Sequence, residues 1–162
     1  SSLMGISDKH IANVMKTFTG VEHRLENFAI IKDVTYINDS KATNLDSVSV
    51  AIQSFNKPVV LILGGRNKGA DFRLLLPHIK SSHVRDIISY GEAGGQISTA
   101  IGDAVRSVQV TDLNSAVKTA QRLAAPGDVV LLSPGCASFD QFANFEERGQ
   151  YFKTKVMEMM AA

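Results

Sequence analysis

Two short runs of uninterrupted apolar residues constrain this chain most: Val-Val-Leu-Ile-Leu at 59–63 and Val-Val-Leu-Leu at 129–132. A strand with one wet face alternates apolar and polar side chains. A strand without that alternation is covered on both faces, and strands of this kind belong to parallel sheets. Shorter apolar segments at 87–90 and 108–110 repeat the pattern, and residues 28–37 read as strand with a turn at Lys32-Asp33. Between them run stripes of helical spacing: Leu45, Val48, Ile52 and Phe55, stopped before Pro58; Ile97, Ala100 and Ile101; Leu113, Ala116, Val117, Ala120 and Leu123 behind an Asp112 N-cap. Asp71 is placed to cap a short helix through 76, and Phe152, Val156, Met159 and Met160 mark a C-terminal helix. The expected fold is α/β: a Rossmann-like open, mostly parallel sheet with helices on both faces. Ile11, Val14, Met15 and Phe18 form a further amphipathic helix with no strand partner, so residues 1–20 are expected to stand apart from 21–162.

Composition narrows the function classes. A chain of 162 residues with net charge +1 carries no global excess for nucleic acid or an anionic membrane. No apolar run approaches the roughly 20 residues of a membrane span. The single Cys136 excludes an intramolecular disulfide framework and a multi-cysteine metal site, and the scattered histidines lack metal-ligand spacing, so no protein-bound metal is expected. No secretion signal opens the chain, and the expected setting is cytoplasmic. Ser-Ser-Leu-Met-Gly is not an initiation sequence, so Ser1 is expected to be a cut boundary.

In an open α/β sheet, ligands bind outside the carboxyl ends of the strands. The segments in that place are Asn38-Asp39-Ser40-Lys41-Ala42-Thr43-Asn44, Gly64-Gly65-Arg66-Asn67-Lys68-Gly69-Ala70-Asp71, Gly91-Glu92, and Ser133-Pro134-Gly135-Cys136-Ala137-Ser138. Their chemistry is anion recognition. Lys41, Arg66 and Lys68 bring charge, Ser40, Thr43, Ser133 and Ser138 bring neutral donors, and helices expected to begin near Asn44, Asp71 and Asp140 add positive dipole ends. Phe139, Phe142 and Phe145 recur at helical spacing and read as core. The chain has no G-x-x-x-x-G-K-[ST] phosphate loop, no G-x-G-x-x-G and no G-x-S-x-G. The glycine pattern thus disfavours a dinucleotide oxidoreductase, and an anion site is present without the usual grip on a nucleoside triphosphate.

Four ordered motifs carry a resemblance: His23-Arg24-Leu25-Glu26; Asn38 to Asn44 as above; Leu63-Gly64-Gly65-Arg66-Asn67-Lys68-Gly69-Ala70-Asp71-Phe72; and Leu132-Ser133-Pro134-Gly135-Cys136-Ala137-Ser138-Phe139-Asp140-Gln141-Phe142 with Asn144-Phe145-Glu146-Glu147-Arg148-Gly149. Together they resemble the C-terminal domain of the Mur ligases, and within that family the branch that adds D-glutamate. The resemblance implies an ADP-forming ligase of peptidoglycan precursor synthesis. ATP with Mg2+ would convert the carboxylate of UDP-N-acetylmuramoyl-L-alanine to an acyl phosphate, which the D-glutamate amine attacks. It implies two further domains, with the phosphate loop on the central one, residues 1–20 as that domain's last helix plus hinge, and no ligase activity from this chain alone. It assigns Arg24 and Asp39 to ATP and Thr43, Lys68, Ser138, Phe139 and Phe145 to D-glutamate. Lys41 becomes the catalytic cation, serving either D-glutamate or the phosphoryl oxygens. Glu22 stands where the family has proline, and Gly135 where it has alanine. A sister ligase, a folylpolyglutamate-synthase-like ligase and a stand-alone nucleotide- or amino-acid-binding module are the alternatives.

Overall fold

The computed structural model describes residues 21–161; the helix expected over 11–18 lies outside them. Strands β1 (Glu26–Ile31) and β2 (Val34–Asn38) form a hairpin, followed by helix α1 (Leu45–Gln53) and strand β3 (Val59–Gly64). A 3-10 turn, Phe72–Leu75, leads into α2 (Leu76–Lys80), then β4 (Val84–Tyr90), α3 (Gly94–Ile101), β5 (Arg106–Gln109), α4 (Leu113–Leu123), β6 (Val129–Gly135) and α5 (Phe145–Ala161). The sheet order is β1-β2-β6-β3-β4-β5, with β1 antiparallel and all other pairs parallel.

The apolar runs do what their pattern requires. Val59, Leu61, Leu63, Val129 and Leu131 face a core closed by α1, α2 and α3. Val60, Ile62, Val130 and Leu132 face the other layer, under α4 and α5. Burying each such side chain contributes about 1.5–3 kcal/mol before conformational entropy is charged against it. The hairpin turn at Lys32 (φ 51°) and Asp33 (φ 63°) is left-handed at both positions, as the right-handed twist of a two-residue hairpin demands. Asn44 caps α1 by accepting from Ser47 N, and Asp112 caps α4 by accepting from Ser115 N.

One expected helix start is wrong. Residues 138–144 form turns, not a helix from Asp140. The Ser138 carbonyl accepts from both Gln141 N and Phe142 N, and the helix begins only at Phe145, where the Asn144 side chain accepts from Glu147 N at 2.7 Å. Phe139, Phe142 and Phe145 therefore share no helical face, and Phe139 is 60% exposed rather than core. The helix after Asp71 also runs further than expected, because Pro77 fits the first turn of α2.

Candidate anion site at the carboxyl edge

Strands β2, β6 and β3 are adjacent and parallel, so their three exits meet. The exits are also stitched together. Arg66 N donates to Ala137 O (2.9 Å) and Ala137 N to Arg66 O (3.1 Å), a two-bond bridge between the β3 and β6 loops. Gly65 makes this approach possible: at φ +123°, a Cβ there would lie 2.3 Å from Ala137 O. Gly135 N donates to Ala42 O at 2.8 Å, and Ser40 Oγ to Phe145 O at 2.8 Å.

The residue that locks the exits was not among those expected. Arg148 is fully buried. Its Nε donates to Ser40 Oγ (2.9 Å), its Nη2 to Ser40 O (2.8 Å) and its Nη1 to Cys136 O (3.0 Å). Among the described residues no carboxylate pairs with it, so its charge adds to the positive potential of the loops it holds. The spacing held a signal: Arg148, Phe152 and Val156 recur at i, i+4, i+8, which puts a cation on the buried stripe of α5.

The expected site residues sort into two groups. Arg24, Asp39 and Lys41 line one cavity of about 360 Å3 whose wall also includes Leu25, Asp46 and Val50. The Lys41 ammonium lies 5.9 Å from the Phe145 ring centroid. Thr43 follows on the same exit, half-buried and next to the Asn44 cap. Lys68 is exposed on the β3 exit and Ser138 is buried on the β6 exit, the two loops joined by the Arg66–Ala137 bridge.

Several expected ligand contacts are already spent internally. Asp39 is 4% exposed; its Oδ1 accepts from Leu25 N (3.1 Å) and its Oδ2 from Ser133 Oγ (2.7 Å). Burial pushes its carboxyl up, against the pull of Ser133, Leu25 and Arg24. Ser133 and Ser40 are therefore supports rather than free donors. Arg66 is neutralised by a bidentate pair with Glu92 (2.8 and 2.9 Å), which leaves Lys41 and Lys68 as the cations of these loops without an ion pair among the described residues. Burial pushes the Cys136 thiol up to about 12, although Arg148 and Lys68 pull the other way, so the thiol is no nucleophile.

The segment carrying Arg24 is strained. His23 (φ 62°) and Leu25 (φ 44°) are both left-handed. Glu26 secures it: Oε2 accepts from His23 N (3.1 Å) and from Asn38 Nδ2 (3.0 Å). Glu22, His23 and Glu26 bring ligand atoms within 4.8 Å of one another. Lys153 Nζ, 3.0 Å from Glu22 and 2.9 Å from Glu26, already fills the cation's role there, so the cluster does not fit a divalent metal.

A model of the "Mur ligase, glutamate ligase domain" family matches residues 23–136. The chain belongs to this family. UDP-N-acetylmuramoylalanine–D-glutamate ligase of Lactobacillus delbrueckii subsp. bulgaricus is 47% identical over 161 residues, covering 98% of this chain and 35% of that protein. The enzyme of the same name from Chlamydia caviae is 48% identical over 147 residues, covering 91% and 35%. The chain thus spans about a third of the curated relatives it matches. Its fold is shared with UDP-N-acetylmuramate–alanine ligase of Thermotoga maritima (TM-score 0.65, 12% identity, 93% of this chain and 33% of that one). It is shared equally with the bifunctional folylpolyglutamate synthase/dihydrofolate synthase of Yersinia pestis (TM-score 0.64, 18% identity, 96% and 35%).

Proposed function

We propose that this chain is the C-terminal part of an ATP-dependent, ADP-forming ligase that joins D-glutamate to UDP-N-acetylmuramoyl-L-alanine in the cytoplasm. Its own task is to hold the incoming amino acid and close one flank of the nucleotide site. The observation that carries this reading is the pair of cations without an ion pair among the described residues, Lys41 and Lys68, on exits joined by the buried Arg148 and the Arg66–Ala137 bridge. D-glutamate brings two carboxylates, for which the loops offer the charge of Lys68 and the neutral donors Thr43 and Ser138, while Lys41 faces the cavity shared with Arg24.

In this reading Lys68 neutralises one carboxylate, while Thr43 and Ser138 hydrogen-bond the side-chain carboxylate. Phe139 and Phe145 contribute backbone groups as much as rings, Phe145 through a turn already fixed by Ser40. Lys41 is the catalytic cation, and its cavity with Arg24 favours the phosphoryl oxygens over D-glutamate as the group it serves. Arg24 and Lys41 suit the phosphates of ATP, and Leu25 and Val50 give the same cavity an apolar wall for a base. Asp39 supports that cavity and offers its remaining lone pairs to ribose hydroxyls. ATP, when bound, supplies the phosphoryl group that activates the acceptor carboxylate. Mg2+ and the phosphate grip are assigned to the remaining two thirds of the enzyme, together with the UDP-sugar, and residues 1–20 to the end of the preceding domain plus the hinge. The chain alone is therefore expected to release no ADP.

The test is an amino-acid panel in the complete enzyme. D-Glutamate is expected to support ADP release with UDP-N-acetylmuramoyl-L-alanine, and L-alanine and L-glutamate are not. Turnover with another amino acid, or with a folate acceptor, would move the assignment to a sister ligase.

A further inference from the structure

Lys68 has no side-chain partner of its own among the described residues, yet the residues before it are held at successive points by a single segment. That segment is the β4–α3 turn together with the first turn of α3, residues 91–96, which contributes no residue to the ligand contacts proposed above. Ala93 N donates to Gly65 O at 2.9 Å. Glu92 takes the Arg66 guanidinium in a bidentate pair. Gln96 Oε1 accepts from Asn67 Nδ2 at 2.8 Å. Asn67 in turn closes the loop around Lys68, its Oδ1 accepting from Ala70 N (2.8 Å) and its Nδ2 also donating to Ala70 O (3.1 Å). The same turn reaches the β6 loop, with Glu92 N donating to Asp140 Oδ2 at 3.2 Å.

We infer that Gln96, acting through Asn67, is a positioning residue for Lys68, and that the β4–α3 turn with the first turn of α3 sets the affinity for the amino-acid carboxylate without touching it. The inference rests on the D-glutamate reading above. Its physical basis is that a lysine ammonium on a flexible stem recognises a carboxylate only where its backbone is held, and a displacement near 1 Å costs up to about 100-fold in such a site. Asn67 clamps the loop upon itself, and Gln96 ties the Asn67 side chain, and with it the clamped loop, to the first turn of α3. The exposed Arg66–Glu92 pair adds little energy by itself and serves as a second guide.

The test is a double-mutant cycle in the complete ligase, using Gln96→Ala and Lys68→Ala with D-glutamate as the probe. Gln96→Ala is expected to raise the D-glutamate KM about 2- to 10-fold, the range for one lost hydrogen bond, with kcat and the ATP KM within about twofold. In the Lys68→Ala background the same change should add nothing. A merely structural role would lower Tm and move both KM values together. Fully additive effects, an unchanged D-glutamate KM in Gln96→Ala, or parallel shifts in both KM values would overturn the inference. If Lys68→Ala alone leaves the D-glutamate KM unchanged, the D-glutamate reading itself fails, and the inference fails with it.

Discussion

Gly149 sits in the second turn of α5, where alanine ordinarily stabilises a helix by about 0.5–1 kcal/mol over glycine. In this fold the sign reverses. A Cβ on Gly149 would lie 2.2 Å from His23 Nδ1, 2.9 Å from its Cε1 and 3.0 Å from its Cγ. The ring has little room to retreat, because it is buried, bonded to Asn38 Nδ2 at 2.9 Å and edge-on to Phe145. Overpacking costs about 1–3 kcal/mol and a lost buried hydrogen bond about 0.5–1.5. Set against the helix gain, Gly149→Ala should destabilise the chain by about 1–3 kcal/mol. That is a fall of about 3–10 °C in Tm at this size. The assay is thermal unfolding followed by circular dichroism. A control isolates the cause: with His23→Ala in place, Gly149→Ala should raise Tm. An unchanged or higher Tm for the single variant, or no sign reversal in the double, would refute the reasoning.

Other outcomes follow from the same geometry. Arg148→Met leaves the Ser40 and Cys136 carbonyls without their charged donor and should cost about 3 kcal/mol or more, read as a lower urea midpoint; an unchanged midpoint contradicts the clamp. Burial alone would raise the Glu26 and Asp86 carboxyls, but Lys153 and the His23 amide hold the first below its ordinary value, and Arg106 and Arg85 do the same for the second. Both folded values lie under the unfolded ones. Their stabilisation is therefore complete above about pH 5 and lost as pH falls through the folded values. Glu26→Gln with Asp86→Asn should flatten that acid limb of the urea-midpoint profile, and an equally steep limb would contradict the pairing. Cys136, with its thiol pushed up to about 12 by burial, should react with a disulfide reagent at pH 8 only after unfolding; labelling of the folded chain at the rate of free cysteine would contradict its burial.

How much of this was legible in the sequence depends on the range of the interaction. The apolar runs at 59–63 and 129–132 dictated central strands because backbone pairing and two-sided burial leave such runs no other place. The caps at Asn44 and Asp112 were legible because a cap is local chemistry. The start of α5 was misplaced because the Ser138 carbonyl takes the Gln141 and Phe142 amides in a turn, and the side chain that caps the helix is Asn144 rather than Asp140. The donor set was misjudged for a different reason. Ser133 lies 94 positions from Asp39, and Ser40 lies 108 from Arg148, so only the sheet order reveals that these polar groups serve one another rather than a ligand. Likewise Arg66 looked like a free cation until the β4–α3 turn brought Glu92 to it.

The central claim is that the carboxyl-edge loops bind D-glutamate, with Lys68 neutralising one of its two carboxylates. Steady-state kinetics of Lys68→Ala in the complete ligase test it most directly. Loss of a charge-assisted contact, about 1.5–3 kcal/mol, predicts a fall in kcat/KM for D-glutamate of about 10- to 150-fold with the ATP KM nearly unchanged. Wild-type kcat/KM for D-glutamate would contradict the account.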